Sequence, residues 1–280
     1  MIGHPAFTVE PWCLRETSLD LDVLAQSESV FALANGHIGW RGNLDEGEPH
    51  GMPGSYLNGV YERRPLPYAE VGYGYPEDGQ TIINVTNGKV IRLLVDDEPF
   101  DVRYGELREH ERLLDFRAGV LSRRVEWVSP AGRAVRVSST RLVSLSQRAV
   151  AAIAYEVEPL EAPVRLVVQS ELIANDELPL LQGDPRTGAT LPAPLLERAD
   201  AARGARAGLV HATRHTDQCV AAVMDHVVDG PPSTLVGSES FPDLARTTVV
   251  VELEPGQRLR LVKFVAYSWS GSRSSAAIRD

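Results

Sequence analysis

A few residues in this chain have types and spacings that could do chemistry. His211 and His215 are four apart, the spacing that would set two imidazoles on one helix face toward a metal. No third ligand is signalled, and the surrounding sequence reads as a loop entering a strand. A solvated loop is the expected setting, and no metal site is expected. Asp45, Glu46 and Glu48, and separately Asp96-Asp97-Glu98, could supply paired carboxylates for acid–base work. Both runs fall where turns are expected, the ordinary place for solvated carboxylates. Gly36, Gly39 and Gly42 recur every third residue. Spaced glycines cradle phosphate when they lead from a strand into a helix N-terminus. Here no helix is signalled after them and the Gly-x-Gly-x-x-Gly order is absent. That leaves tight turns and close backbone approach. Within the same stretch, His37 and Trp40 offer rings that could contact a sugar, or simply pack on the core.

The elements that must position these residues read mostly in a period of two. Thr81 to Thr86 and Lys89 to Val95 are β-rich runs joined at Asn87-Gly88, which predicts a tight hairpin. Leu121 to Val128 alternates, with Leu121, Val125 and Trp127 on one face. The turn Ser129-Pro130-Ala131-Gly132 leads into Arg133 to Val143. Ala149 to Glu158 and Val164 to Leu172 read as another pair across a proline-containing turn. Thr247 to Leu253 and Arg258 to Ser268 flank Glu254-Pro255-Gly256-Gln257. In the last strand Leu259, Leu261, Val265 and Tyr267 share a face that Lys263 interrupts. Repeated short strands with turn signals between them predict an all-β sandwich. Ser27 to Ser29 and the nearby glycines argue against a long helix in Leu19 to Leu33. Ala174 to Gly208, with four prolines and the Ala/Arg run Glu197 to Arg206, reads as a long surface excursion with at most one helical turn. The serines of 272–275 before Ala276-Ala277-Ile278-Arg279 read as a helix N-cap and first turn. The expected division is a sandwich domain over 1–270 and the start of a linker helix over 271–280, truncated before a further domain.

Bulk properties narrow the partners. With 280 residues, 43% of them hydrophobic, the chain can bury a large core. A net charge of −10 speaks against nucleic acid, whose phosphates need clustered cations. Cys13 and Cys219 are the only cysteines, lie far apart, and read as thiols in a reducing cytoplasm. The start, Met1-Ile2-Gly3-His4-Pro5, carries no secretory signal pattern. The apolar runs are much shorter than the roughly 20 residues of a membrane span. A cytoplasmic protein without membrane or nucleic-acid partners is expected.

The most distinctive stretch runs Ser27-Glu28-Ser29-Val30-Phe31-Ala32-Leu33-Ala34-Asn35-Gly36-His37-Ile38-Gly39-Trp40-Arg41-Gly42-Asn43, followed by Glu46-Gly47. Soon after comes Gly54-Ser55-Tyr56-Leu57-Asn58-Gly59-Val60-Tyr61-Glu62. Together these closely resemble the N-terminal signature of family 65 glycoside hydrolases, which include maltose, trehalose and kojibiose phosphorylases. Weaker matches continue at Asn84, Asp96-Asp97-Glu98, Leu114-Asp115, Leu121 and Arg123, Arg141 to Ser144, and Lys263 to Tyr267, so the resemblance spans essentially the whole chain.

The resemblance implies a large two-sheet antiparallel β-sandwich of the supersandwich, galactose-mutarotase-like kind. A helical linker and a catalytic (α/α)6 barrel would follow it in the same chain. It implies that the general-acid glutamate and the phosphate site belong to that barrel, leaving no catalytic residue, metal or cofactor in this region. The reaction it implies inverts an α-glucoside, with phosphate or water attacking opposite the acid. It also implies a possible homodimer. His37, Trp40, Arg41, Asn43, Tyr56, Asn58 and Tyr61 are the residues expected to face the barrel near its sugar pocket. Arg41 would bond to the barrel, Trp40 or Tyr56 would shield the pocket from water, and these groups would be exposed in this chain. The alternative is that Arg41 pairs internally with Glu28 or Glu46 and pins the loop. Two other readings are a free-standing carbohydrate-binding sandwich and a mutarotase-like enzyme, the latter a fold-level analogy.

Overall fold

The computed structural model describes residues 3–66, 72–176 and 191–272, together with Ser274 and Ala277. The chain opens with β1 (Phe7–Glu10) and β2 (Cys13–Glu16), then a 3-10 turn (Leu21–Val23) and a short helix α1 (Leu24–Val30). The signature region forms β3 (Leu33–Ala34), β4 (Ile38–Trp40), β5 (Ser55–Leu57) and β6 (Tyr61–Pro65), followed by β7 (Asp78–Ile82). Next come β8 (Ile91–Val95), β9 (Glu98–Pro99), β10 (Glu106–Asp115), β11 (Val120–Val128), β12 (Ala134–Val143), β13 (Val150–Pro159) and β14 (Val164–Ile173). The last third holds β15 (Leu195–Arg203), β16 (Arg206–Thr213), β17 (Cys219–Asp229), β18 (Leu235–Phe241), β19 (Leu244–Leu253) and β20 (Leu259–Ser270).

Two large antiparallel sheets make the sandwich. One has ten strands in the order β1-β2-β10-β11-β12-β13-β20-β17-β16-β15, the other five in the order β18-β19-β14-β8-β9. Alternation drives their packing, because side chains two apart share a face of a strand. Every second residue of β13 is buried, so Ala151, Ile153, Tyr155 and Val157 point inward. From the other sheet, Leu166, Val168, Val249 and Val251 join them in one continuous core. A sandwich of this kind buries the inner faces of both sheets together. Lys263 obeys the same alternation. It points into the sandwich and crosses it, its Nζ donating to the carbonyls of Val90 and Glu171 at 3.2 and 2.7 Å. β3, β4 and β5 form a small sheet of their own beside the sandwich, and β6 pairs with β7.

Three expectations about connections need correction. Asn87-Gly88 is no hairpin: β8 pairs with β14 and β9, and β7 pairs with β6. Gly88 is there for space, since a Cβ would lie 2.8 Å from both the Tyr267 hydroxyl and a Val265 methyl. The strands of Ala149 to Glu158 and Val164 to Leu172 do not pair either. They lie in opposite sheets, so the proline-containing turn between them is a crossover. Local alternation fixes which face a strand buries but is silent on which sheet it joins. Within the supposed excursion, the Ala/Arg run is a strand: β15 and β16 form a hairpin turning at Gly204, with φ +64°. Its small and charged residues sit on an edge strand, where one flank and one face meet solvent. The stretch 177–190 of that excursion lies outside the described residues. So do 273, 275, 276 and 278–280 of the expected linker helix.

Candidate functional site

The signature segment is first of all a device for neutralising buried cations. Glu28, fully buried in α1, accepts from the backbone N–H groups of Gly51 and Met52 at 2.9 and 3.0 Å and from Arg41 Nη2 at 3.3 Å. Arg41 Nη2 also donates to the Ala25 carbonyl at 2.7 Å. The chain passes so close here that a Cβ on Gly42 would sit 2.6 Å from that of Phe31. Glycine at 42 is therefore a matter of space. Asn35 begins the turn into β4: its Oδ1 accepts from the N–H groups of His37 and Ile38, and Gly36 takes φ +81°.

Asp45 and Glu46 are not solvated turn carboxylates. Both are buried. Asp45 accepts from Arg141 at 2.6 and 2.9 Å and from Ser139 at 2.7 Å, while Glu46 holds Arg123 through both of its oxygens. The cause lies in the strands: Arg123 and Arg141 fall in the inward phase of β11 and β12, alongside Leu121 and Val125. A buried guanidinium requires a carboxylate partner. Burial opposes the Asp45 charge, but Arg141 and Arg123 outweigh it and hold the carboxyl below its ordinary range. A second cluster sits nearby, where Glu16 accepts from Ser27 Oγ at 2.6 Å, His110 Nε2 at 3.0 Å and Arg112 Nε. Burial works against this charge as well, yet the bonds from His110 and Arg112 bring Glu16 down to about 2. A general acid for glycoside cleavage must hold a proton at working pH and reach the leaving oxygen. Asp45, Glu46 and Glu16 are locked in buried ion pairs, where they reach no leaving oxygen.

The sequence-chosen residues divide by strand phase. In the register Ile38↔Leu57, Gly39↔Tyr56, Trp40↔Ser55, the inner set is Ile38, Trp40, Ser55 and Leu57, all buried. Trp40 is only 2% exposed; it meets Tyr267 edge-on at 6.4 Å and its Nε1 donates to the Tyr267 hydroxyl at 3.3 Å. Trp40 therefore packs inside and has no face to offer a sugar, correcting the expectation of an exposed indole. Asn43 is also buried, its Nδ2 donating to the Met52 carbonyl at 2.9 Å. Arg41 is half-buried and pairs internally with Glu28, so the alternative reading of that residue is the observed one. The outer set is different. His37, Gly39, Tyr56 and Asn58 share the outward face of the small sheet, with Asn58 exposed and His37 and Tyr56 half-buried. Burial and the nearby Arg148 lower the His37 pKa. Tyr61 is half-buried, its backbone held by Gln218 and Thr216.

His211 and His215 do not converge. His211 lies on β16, fully buried, with Nε2 2.9 Å from Asp243 Oδ1, whereas His215 is exposed in the following turn. His211 belongs to a strand and not to the solvated loop that was expected. No group of three potential metal ligands occurs among the described residues.

One cavity adjoins the signature, with a volume of about 310 Å³. Its walls come from the loop 43–53, the entry to β8 and the end of β14, bringing together Asn43, His50, Asn87, Lys89, Arg92 and Asp176. Lys89 is buried, with Nζ donating to the Gly54 carbonyl at 2.8 Å and Ser55 Oγ at 2.6 Å. Burial pushes the Lys89 pKa down and that of Asp176 up. Lys89 and Asp176 were not singled out from the sequence. Lys89 is one of only two lysines, with Lys263, in a chain that otherwise uses arginine, and that was the available signal.

Comparison with known proteins places this geometry. Residues 14–280 match the family model described as glycosyl hydrolase family 65, N-terminal domain. The chain belongs to that family. It is 60% identical over 282 residues to an uncharacterized glycosyl hydrolase of Mycobacterium tuberculosis, covering 100% of this chain and 36% of that protein. It is 32% identical over 268 residues to the alpha,alpha-trehalose phosphorylase of Thermoanaerobacter brockii, covering 94% of this chain and 35% of the enzyme. The fold matches a solved structure assigned as a kojibiose phosphorylase from human microbiome, with a TM-score of 0.84 at 21% identity, over 97% of this chain and 34% of that one. This family 65 chain thus spans about a third of the length of the relatives it matches. No helix among the described residues is long and apolar enough to cross a membrane.

Proposed function

We propose that this chain is the non-catalytic sandwich of a cytoplasmic disaccharide phosphorylase or hydrolase that acts on α-glucosides with inversion. The observation that carries the reading is the family match over 14–280 in a chain that covers only 36% of a relative. An (α/α)6 barrel in the remaining length would hold the general-acid glutamate and the phosphate or water that attacks the anomeric carbon. The sandwich would present to that barrel the outward residues His37, Tyr56, Asn58 and Tyr61, with Arg41 stiffening the loop behind them. The ion-paired state of Asp45, Glu46 and Glu16 supports a division in which the sandwich supplies shape and not proton transfer.

The test compares this chain with the protein that includes the following residues of its reading frame. Each is incubated with maltose, trehalose or kojibiose and inorganic phosphate, and glucose 1-phosphate and free glucose are measured. The expected result is product from the longer protein alone. Turnover by the 280-residue chain would overturn the reading.

A further inference from the structure

The outward side of the ten-stranded sheet changes character half-way across. Over β10, β11 and β12 it is charged, with Arg124 bonded to Glu109 at 3.2 Å and Arg136 to Glu126 at 2.7 Å. That is the composition of a sheet face in water. Over β13, β20, β17, β16 and β15 it is apolar. Register places Val150, Ala266, Val223, Gly208 and Ala201 in one row across these five strands. Ala152 and Phe264 lie beside that row, followed by Ala154, Val262 and Val227. Phe264 is 43% exposed and Val227 57%. On the other flank Val210, Cys219 and Ala221 make a small buried cluster. Asp225 falls within the patch, where Arg206 meets its charge at 2.8 and 3.1 Å.

An apolar sheet face is stable only when another element buries it, and contiguous exposed apolar area marks a contact surface. Ala277 already reaches this one. A groove of about 470 Å³ lies over the row, and Ala277 stands on its wall with Val150, Val223, Phe264 and Ala266. A second groove, of about 310 Å³, carries it on over Ala201 and Gly208 and shares Val223 and Arg206 with the first. Ala277 is helical, and its N–H donates to Ser274 Oγ at 3.4 Å. That is the bond a serine makes when it caps a helix N-terminus. We propose that this outward face seats a helix of the same polypeptide, begun at Ser274 and continued by the residues after Asp280. Five strands about 4.8 Å apart make a row about 19 Å long. A helix rising about 1.5 Å per residue needs about 13 residues to cross it, more than Ser274 to Asp280 supplies. The proposal rests on the reading that this chain is part of a longer protein, which its 36% coverage of a relative supports.

Photo-crosslinking in the longer protein tests the proposal. Phe264 is replaced by p-benzoylphenylalanine, the protein is irradiated, and the joined peptide is identified by mass spectrometry. The expected partner lies within about 20 residues after Ala277 of the same polypeptide, the reach of a helix that crosses the row. A cross-link to a more distant segment or to a second copy, or no cross-link at all, would overturn the proposal. If the Phe264 variant does not fold, the same replacement at Val227 decides. Thiol labelling gives an independent reading. Ala266→Cys, at an exposed position of the row, should react with iodoacetamide about tenfold or more slowly in the longer protein than in the 280-residue chain, because labelling must wait for the helix to open. Equal rates would also overturn it. Neither measurement depends on turnover. A longer protein inactive on every disaccharide still reports the cross-link, and a misplaced helix leaves the glucose 1-phosphate comparison standing.

Discussion

The two sides of the small β3-β4-β5 sheet differ as sharply as any regions of this molecule. The inner side places Ile38, Trp40 and Leu57 in the continuous core and, in the loops at its ends, clamps charge against charge: Glu28 with Arg41, Asp45 with Arg141, Glu46 with Arg123. The outer side carries His37, Gly39, Tyr56 and Asn58 with few commitments of their own. The contrast shows that one continuous signature serves two purposes, set by whether a residue falls on the odd or even phase of β4. A residue-by-residue reading that treats the whole signature as a site, or as a scaffold, misassigns half of it.

The comparison breaks first on the inner side. Asp45→Ala removes the partner of Arg141 and part of that of Arg123, leaving guanidinium groups buried without compensation. It should cost about 3–5 kcal/mol, read as a fall in the urea midpoint at constant slope. A loss below about 0.5 kcal/mol, the scale of ordinary surface changes, would place the clamp among dispensable contacts. Next in size is an acid effect from Glu16. Its pKa falls from 4.5 in the unfolded chain to about 2 in the fold, so the unfolded state binds the proton more readily. That stabilisation is fully present above pH 4.5 and is lost as pH falls toward 2. It amounts to roughly 3 kcal/mol at most. Glu16→Gln should flatten this part of the stability–pH curve; an unchanged acid limb would assign the effect to other carboxylates. Smallest is the outer side. Tyr56→Ala should move the unfolding free energy of this chain by no more than about 0.5 kcal/mol, whereas in the longer protein it should lower turnover. A large stability loss in the present chain would erase the distinction between the two sides.

Much of the sandwich was legible because strand alternation reports burial directly. Leu121, Val125 and Trp127 share the inner face as their spacing predicts, and so do Leu259, Leu261, Val265 and Tyr267. Lys263 stands among them, where it reads as an interruption and proves to be a bridge between the sheets. The outward position of His37, Tyr56 and Asn58 was compatible with the sequence, but Trp40 two residues before Gly42 looked equally available. Only the register Trp40↔Ser55 shows which way it turns. Arg123 and Arg141 could have been found. Both sit in the apolar phase of their strands, and an arginine there requires a carboxylate from elsewhere, which Asp45-Glu46 supplies. The cavity could not have been found by spacing. Its walls come from residues near 43–53, 87–92 and 173–176, brought together by long-range contacts such as the bridge between Asn87 and Ile173 and the bond from Ile91 N–H to the Asp45 carbonyl.

The place of β20 in the ten-stranded sheet has a consequence for how the chain must be made. β20 lies between β13 and β17, pairing with both along most of its length. Those two neighbours end at Pro159 and Asp229, well before β20 begins, and until Leu259–Ser270 has left the ribosome the sheet has a slot through its middle. During that interval β13 and β17 each present an unpaired edge, the kind of surface that recruits other strands. Asp225, on the β17 side of the slot, is a charged residue of the sort that discourages wrong strands from filling it. The last strand to emerge is thus the keystone, and the order of synthesis, as much as the final packing, selects what may occupy that position.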